Sequence, residues 1–205
     1  MLDSTLRPVK DRLLAPVASG PVGRVPVAAI TLVGLAFTLA AAAAAWHGVT
    51  LAAVLLWLGG RFLDGLDGAV ARATGQQSDT GGLFDFVADS IGYAAVPLGI
   101  AAGVDDRALW IATAVVIATF YINAVSLGQV AALLEKRSVA DRGATSVVMP
   151  RGLVEGTETI VVFTLALAVP DSAATIWWVF AAAVAVTVAE RLRWASAVLR
   201  QDPLP

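Results

Sequence analysis

The sequence predicts an all-α integral membrane protein with six transmembrane helices plus a short N-terminal amphipathic surface helix. Of its 205 residues, 58% are hydrophobic and 15% are charged, and the mean hydropathy is +0.78. An ordinary water-soluble domain is less apolar than this. Six stretches remain mostly apolar over the roughly 20 residues that a helix needs to cross the hydrocarbon core. The basic residues are also divided very unevenly between the two sides of the membrane that these stretches would cross.

Composition excludes several kinds of site. The chain has no cysteine, which excludes disulfides and thiolate metal sites, and its single histidine, His47, excludes a site built from several imidazoles. The net charge of −2 gives no indication of a nucleic-acid surface. We therefore expect membrane lipids, and no nucleic acid, among the partners of this chain.

Residues 1–20 are predicted to form the amphipathic surface helix. Leu6, Val9 and Leu13 fall near one helix face, whereas Arg7 and Lys10 can reach water and anionic headgroups. The segment has no continuous apolar core, so it does not resemble a signal peptide. A solvated leader is the alternative interpretation.

The six predicted spans form a single membrane domain that comprises residues 1–205. Short turns join three pairs of spans, and two longer polar connections join the others. Four tryptophans lie near predicted span ends, where indole rings favour the membrane interface: Trp46, Trp110, Trp177 and Trp178. The predicted spans cover approximately residues 27–46, 49–71, 82–103, 108–134, 153–169 and 173–189.

The distribution of positive charge predicts the orientation. Of the 14 Lys and Arg residues, 13 fall on the side that also contains both termini, and Arg107 alone falls on the other side. The positive-inside rule assigns the first side to the cytoplasm. We therefore expect a protein of a bacterial inner or plasma membrane, with both termini and the connection between the second and third spans in the cytoplasm.

Five aspartates and an arginine lie where the second and third spans meet, in DGLDGAVARATGQQSDTGGLFDFVADS (64–90). Ionisable groups in a membrane are costly, so they indicate function. Asp64 and Asp67 are three residues apart and Asp85 and Asp89 are four apart, so each pair shares a helix face. Two antiparallel helices can direct all four carboxylates to one point, where divalent cations would relieve their repulsion. Oxygen ligands suit Mg²⁺ or Mn²⁺, and two such ions can clamp phosphoryl oxygens.

A set of interhelical salt bridges is the alternative explanation of the aspartates. It is unsatisfactory because four acids would share only Arg61 and Arg72 nearby. Small residues also open space beside the acids, with Gly68 and Ala71 on the second helix and Gly81 at the start of the third. Arg72 offers a planar donor fork that suits phosphate. Together these residues predict a pocket for a pyrophosphate.

The same stretch resembles the signature of the class I CDP-alcohol phosphotransferases (CDP-alcohol phosphatidyltransferases), D-x2-D-G-x2-A-R-x8-G-x3-D-x3-D. Every spacing of the signature is kept, although it covers only residues 64–89. The six-span layout is similar to this family along its length. The matching residues are Asp64, Asp67, Gly68, Ala71, Arg72, Gly81, Asp85 and Asp89.

The resemblance implies a reaction and a set of roles. The enzyme would transfer the phosphatidyl group of a CDP-linked lipid, usually CDP-diacylglycerol, to a polar alcohol and release CMP, in phospholipid biosynthesis. Asp64, Asp67 and Asp85 would ligate two Mg²⁺ or Mn²⁺ ions, and Asp89 would both contact metal and act as the catalytic base. A homodimer is implied as well. Residues implied to contact the nucleotide are Gly68, Ala71, Arg72, Ser78, Gly81 and, on the first span, Thr31.

The candidate acceptor site lies around the polar connection between the fourth and fifth spans. Arg142 or Arg151 could hold an acceptor phosphate, as glycerol phosphate or an inositol phosphate would require, or they could simply enforce topology. Glu155 and Glu158 lie at the start of the fifth span and could orient a polyol or an amine, or pair with Arg151. Polar residues of the fourth span could face the same cavity or could bond between helices: Asn123, Ser126 and Gln129.

Two other classes of protein share parts of this pattern. A membrane prenyltransferase also binds a diphosphate with Mg²⁺ and aspartate-rich motifs, but it would need two separated motifs and usually more spans. A non-catalytic membrane component, such as a transporter subunit or an assembly factor, would not need the metal and base positions that are intact here. A phosphotransferase is therefore the favoured interpretation.

Overall fold

The computed structural model describes residues 16, 20–140, 154 and 156–201. This part of the chain folds into six α-helices and two short 3₁₀ helices, Pro21–Arg24 and Pro170–Ser172. The α-helices, in chain order, are α1 (Val27–Trp46), α2 (Thr50–Thr74), α3 (Asp79–Val104), α4 (Arg107–Ala140), α5 (Gly156–Ala168) and α6 (Ala173–Gln201).

Each predicted span corresponds to one of these helices, which confirms an all-helical fold. The bounds of α1 are those predicted, whereas α6 continues to Gln201 instead of ending near residue 189. The extra turns pack Ala195 against Val130 and Leu134 of α4, so the helix continues where its apolar run has ended. Residues 1–15 and 17–19 of the predicted surface helix lie outside the described residues.

Four of the described helices are long and apolar enough to cross a membrane. They are α1, α3, α4 and the helical segment that includes α6. Helix α5 is apolar but spans only Gly156–Ala168, and α2 carries Arg61, Asp64 and Asp67 among its apolar residues. The protein is therefore a membrane protein with at least four candidate spans among the residues described.

The turn between α2 and α3 is fixed by local backbone chemistry. Gly75 ends α2 in the left-handed region, with φ of +68°, where glycine has no steric penalty. Ser78 then caps α3, because its hydroxyl oxygen accepts a hydrogen bond of 3.0 Å from the Gly81 N–H. This turn reverses the chain between the two aspartate pairs, as the sequence predicted.

Helix α1 is the element on which α2 and α3 assemble. Both helices pack along α1, but they make few close backbone contacts with each other. The approach of α3 to α1 depends on small residues, since a Cβ atom at Gly99 would overlap the Ala42 carbonyl and one at Gly103 would overlap the Ala45 carbonyl. Side-chain contacts, such as that of Arg61 with Asp89, join α2 to α3.

The second half of the bundle packs α4 against α6, with α5 against α2 and α6. An aromatic cluster joins the halves, in which the Phe163 ring lies 5.2 Å from Trp57 and 5.0 Å from Trp177. Trp177 is fully buried, so its predicted place at the membrane interface is wrong. Although Trp177 is near the start of α6, its ring points into the core of the bundle. The ring of the neighbouring Trp178 is exposed.

Candidate active site

The four signature aspartates lie on facing parts of α2 and α3. Asp67 is buried, whereas Asp64, Asp85 and Asp89 are partly exposed. The charges of Asp67, Asp85 and Asp89 all act on the Asp64 carboxyl, so the four groups share one electrostatic environment. Both pairs therefore reach the same region between the helices, as their spacing predicted.

Individual contacts hold these carboxyl groups in different ways. The Thr31 hydroxyl of α1 donates a hydrogen bond of 2.6 Å to Asp67 Oδ2. The Asp64 and Asp85 carboxyls face each other across the α2–α3 space. Arg61 Nη1 donates to Asp89 Oδ1 and lies 3.6 Å from Asp64 Oδ2. One cation thus bridges the two helices.

The carboxylates do not form a ready metal cage in this arrangement. Among the described residues, no group of three or more Asp, Glu or His side chains is placed to hold one ion. Two of the carboxyls are instead bound to Arg61, which contacts Asp89 and Asp64, and Asp67 accepts a hydrogen bond from Thr31. The site nevertheless fits a hard cation by its all-oxygen donors. Asp85 Oδ1 is buried without a hydrogen-bond partner in the described part of the chain, which leaves an oxygen for such a ligand.

The residues predicted to contact the nucleotide surround the outer end of this region. Arg72 is exposed, and its guanidinium folds over Gly68, where a Cβ would lie 3.1 Å from Nη1. Ser78 and Gly81 are joined by the α3 capping bond, and Ala71 is half-buried on α2. Thr31 instead reaches into the aspartate cluster, where its hydroxyl is engaged by Asp67.

A cavity of about 630 Å³ opens beside the aspartates between α3, α4, α5 and α6. Asp89 and Tyr93 of α3 line one wall. Asn123 of α4, Thr159 of α5 and Arg191 of α6 line the others. The remaining lining is largely apolar, including Phe86, Phe120 and Leu127. A molecule in this cavity could contact the Asp89 carboxylate and a cationic group at once.

Sequence reasoning counted Arg191 only for topology and missed its place in this cavity. Arg191 Nη1 donates hydrogen bonds to the Asn123 carbonyl at 3.0 Å, to Asn123 Oδ1 at 2.9 Å and to Ser126 Oγ at 2.8 Å. These partners are neutral, so none of them offsets the positive charge of the guanidinium beside the cavity. The polar spacing of Asn123 and Ser126 on α4 was the signal that could have found it.

The predicted acceptor residues are described only in part. Arg142, Arg151 and Glu155 lie outside the described residues. Glu158 is half-buried in the first turn of α5. Gly156 and Thr159 of that turn line the cavity.

Comparison with known proteins decides the family. The family model described as CDP-alcohol phosphatidyltransferase matches residues 25–189, which include all six helices at least in part. The chain belongs to the CDP-alcohol phosphatidyltransferase family. It is accordingly a transferase of the CDP-alcohol phosphatidyltransferase kind, as the aspartate signature predicted.

Two curated proteins are similar in sequence to this family member. The inner membrane protein YnjF of Escherichia coli is 38% identical over 147 residues, which cover 69% of this chain and 68% of that protein. The archaetidylinositol phosphate synthase of Pyrococcus horikoshii is 39% identical over 74 residues, which cover 36% of this chain and 39% of that protein.

Solved structures of a third protein share the fold. The phosphatidylinositol phosphate synthase of Mycobacterium tuberculosis in complex with manganese and citrate has a TM-score of 0.77 and 22% identity, and the match covers 94% of this chain and 93% of that one. The same synthase with CDP-DAG bound has a TM-score of 0.73 and 23% identity, over 90% and 94% of the two chains. Because the identity is this low, the likeness establishes only the fold of this chain.

Proposed function

We propose that this chain transfers the phosphatidyl group of CDP-diacylglycerol to a hydroxyl of an inositol-phosphate-type acceptor and releases CMP. The observation that carries the proposal is the cavity that Asp89 and Arg191 both line. It provides a carboxylate for the acceptor hydroxyl and a guanidinium for an acceptor phosphate. The relatives support this acceptor class, since one is named an archaetidylinositol phosphate synthase and another a phosphatidylinositol phosphate synthase.

The aspartate cluster is the proposed diphosphate site. Asp64, Asp67, Asp85 and Asp89 would hold two Mg²⁺ or Mn²⁺ ions, whose charge neutralises the diphosphate and makes CMP a better leaving group. The manganese in the M. tuberculosis synthase supports a divalent metal. The proposed nucleotide contacts are Thr31, Gly68, Ala71, Arg72, Ser78 and Gly81.

Asp89 is the proposed catalytic base. The acceptor oxygen forms a bond to the phosphorus that carries the diacylglycerol, while the bond from that phosphorus to the CMP oxygen breaks. The hydroxyl proton passes to the Asp89 carboxylate, and CMP leaves with the bonding electron pair. Asp89 suits this step because it lines the cavity with a side chain that is 28% exposed.

Arg191 is the proposed anchor of the acceptor phosphate. A guanidinium binds phosphate through two parallel donors, and Arg191 Nη1 is already oriented by Asn123 and Ser126. Arg142, Arg151, Glu155 and Glu158 stay candidates for the same acceptor. We further propose that all six helices act as one membrane-spanning unit in a homodimer, with both termini and the site facing the cytoplasm.

Acceptor screening with mass spectrometry of the product tests this function. Membranes with the full chain, CDP-diacylglycerol and Mn²⁺ should yield product with inositol phosphate and much less with free inositol, glycerol phosphate or serine. Arg191→Gln should raise KM for the acceptor by roughly tenfold or more, since a charge-assisted hydrogen bond is lost. KM for CDP-diacylglycerol should change little.

The matched control is Arg193→Gln, which removes the same charge from an exposed position two residues along α6. It should leave both KM values near those of the parent. A parent enzyme that prefers an unphosphorylated alcohol would refute the acceptor class. An effect of Arg191→Gln confined to the CDP-lipid KM would refute the assigned anchor.

A further inference from the structure

We propose that Arg61 is a positioning residue that orients Asp89 for proton transfer and competes with the divalent cation for the Asp64 and Asp89 carboxylates. The proposal rests on the proposed function in taking Asp89 as the base. Arg61 lies outside the family signature, three residues before Asp64, and its contacts in the fold give it this role.

The guanidinium of Arg61 is shared between both aspartate helices. Nη1 contacts Asp89 Oδ1 on α3 and lies 3.6 Å from Asp64 Oδ2 on its own helix. Nη2 donates a hydrogen bond of 3.3 Å to Thr38 Oγ1 on α1. The Arg61 side chain is only 7% exposed, whereas those of Asp64 and Asp89 are 30% and 28% exposed. The Arg61 guanidinium is therefore more deeply buried than the two carboxylates.

Aromatic rings and small residues keep Arg61 in that place. Its guanidinium carbon lies 4.9 Å from the centre of the Trp57 ring and 5.7 Å from that of Tyr93, distances at which a cation is attracted to a ring face. A Cβ at Gly60 would lie 2.6 Å from Thr38 Oγ1, and one at Gly92 would lie 2.8 Å from Thr38 Cγ2. Both glycines therefore make room for the Thr38–Arg61 contact.

A purely structural role is a poor reason for burying this cation. Replacing a buried ion pair with apolar residues is often neutral or stabilising. Arg61 Nε is also buried and has no hydrogen-bond partner among the described residues, which adds to the cost. We therefore infer that the Arg61 charge acts on the reaction and not only on stability.

The contacts of Asp89 indicate what that effect is. Arg61 engages Oδ1, and Oδ2 lies 3.5 Å from the Tyr93 hydroxyl. Both Asp89 and Tyr93 line the cavity where the acceptor is proposed to bind. Holding one oxygen fixes the plane of the carboxylate, so that the other can meet the acceptor hydroxyl. Removing the guanidinium would free both carboxylates for metal and lose this orientation.

The test compares Arg61→Met and Arg61→Lys with the parent chain, and Arg107→Met is the control for loss of an exposed arginine far from the site. Each full-length protein is placed in lipid nanodiscs. Mn²⁺ affinity is measured by electron paramagnetic resonance, and thermal unfolding is measured with and without Mn²⁺. Steady-state CMP release gives kcat and the KM for CDP-diacylglycerol.

For Arg61→Met we expect Mn²⁺ binding about tenfold tighter, because a competing cation has been removed. The rise in Tm on adding Mn²⁺ should exceed that of the parent, and kcat should fall about a hundredfold while KM changes little. Arg61→Lys keeps the charge but loses the donor fork, so its Mn²⁺ affinity should stay near the parent value while kcat falls by a smaller factor. Arg107→Met should match the parent in every measurement.

Unchanged Mn²⁺ affinity in Arg61→Met, with an equal loss of Tm with and without Mn²⁺, would show that Arg61 only packs and would overturn the proposal. If Arg61→Met does not fold, Arg61→Lys decides, and a parent-like kcat in that variant overturns the positioning role. A parent chain that releases no CMP would refute the proposed function separately. The Mn²⁺ and unfolding measurements would still decide whether Arg61 competes with the cation.

Discussion

The hydrogen bond between Thr31 and Asp67 shows how a neutral side chain can orient a carboxylate for metal binding. Thr31 Oγ1 lies 2.6 Å from Asp67 Oδ2 and 3.2 Å from the Val27 carbonyl, and Asp67 itself is buried. A carboxylate that is fixed by such a partner binds metal better, because less freedom is lost on binding. Thr31 was predicted to contact the nucleotide, and from its bond to Asp67 we now predict an effect on metal binding.

Thr31→Val should weaken Mn²⁺ binding about tenfold, since a hydrogen bond that orients a metal ligand is removed without a change in side-chain volume. The affinity is measured by Mn²⁺ titration of the full chain. Thr119→Val makes the same chemical change where the hydroxyl bonds the Val116 carbonyl on its own helix α4, and it should bind Mn²⁺ like the parent. Equal affinities for the two variants would show that Thr31 does not support Asp67.

At these side chains, the sequence predicted where the four aspartates lie better than it predicted their contacts. The signature spacing placed four acids in one region because it depends only on helix geometry and one short turn. Arg61 and Arg191 were visible as charges, but their contacts join α2 to α3 and α6 to α4. Spacing along one helix does not determine which residues of another helix lie opposite, so these two contacts required the structure.

Among the helices, the packing of α1 against α3 is the contact on which the site depends. Gly99 and Gly103 allow α3 to meet the α1 backbone at Ala42 and Ala45. The Gly99-x3-Gly103 spacing is typical of close helix packing, but the spacing alone does not identify α1 as the partner. The sequence prediction also ended α6 too early, since apolarity ends before the helix does. The sequence thus predicted the order of the helices correctly, whereas their packing partners and the length of α6 required the structure.

Gly99→Ala should lower the free energy of unfolding by about 1–3 kcal/mol, because its methyl group would meet the Ala42 backbone and push α3 away. Gly128→Ala on α4 is the control, since a Cβ there would meet nothing within 4 Å. It should be neutral or stabilise the helix by about 0.5–1 kcal/mol. Thermal unfolding in nanodiscs compares the two, and equal stabilities would show that α1 and α3 do not pack this closely.

For the molecule as a whole, the charge distribution predicts that the aspartate end faces the cytoplasm. The chain contains no cysteine, so single introduced cysteines report sidedness without background. His47 and Gln76 are exposed in the turns at opposite ends of α2.

In intact cells, a membrane-impermeant maleimide should label His47→Cys but should label Gln76→Cys only after permeabilisation. The cysteine-free parent should stay unlabelled throughout. Labelling of Gln76→Cys in intact cells, with protection of His47→Cys, would reverse the orientation and place the proposed site outside the cytoplasm.

The proposed activity depends on carboxylates between α2 and α3 that act through a divalent metal. CMP release from CDP-diacylglycerol, measured with acceptor in EDTA or in Mn²⁺, tests it for the parent, for Asp85→Asn and for Asp79→Asn, an exposed first-turn aspartate outside the signature. We predict release only with metal, a loss of about a hundredfold or more in Asp85→Asn, and near-parent activity in Asp79→Asn. Release in EDTA at the Mn²⁺ rate, or equal rates for the two variants, would contradict it.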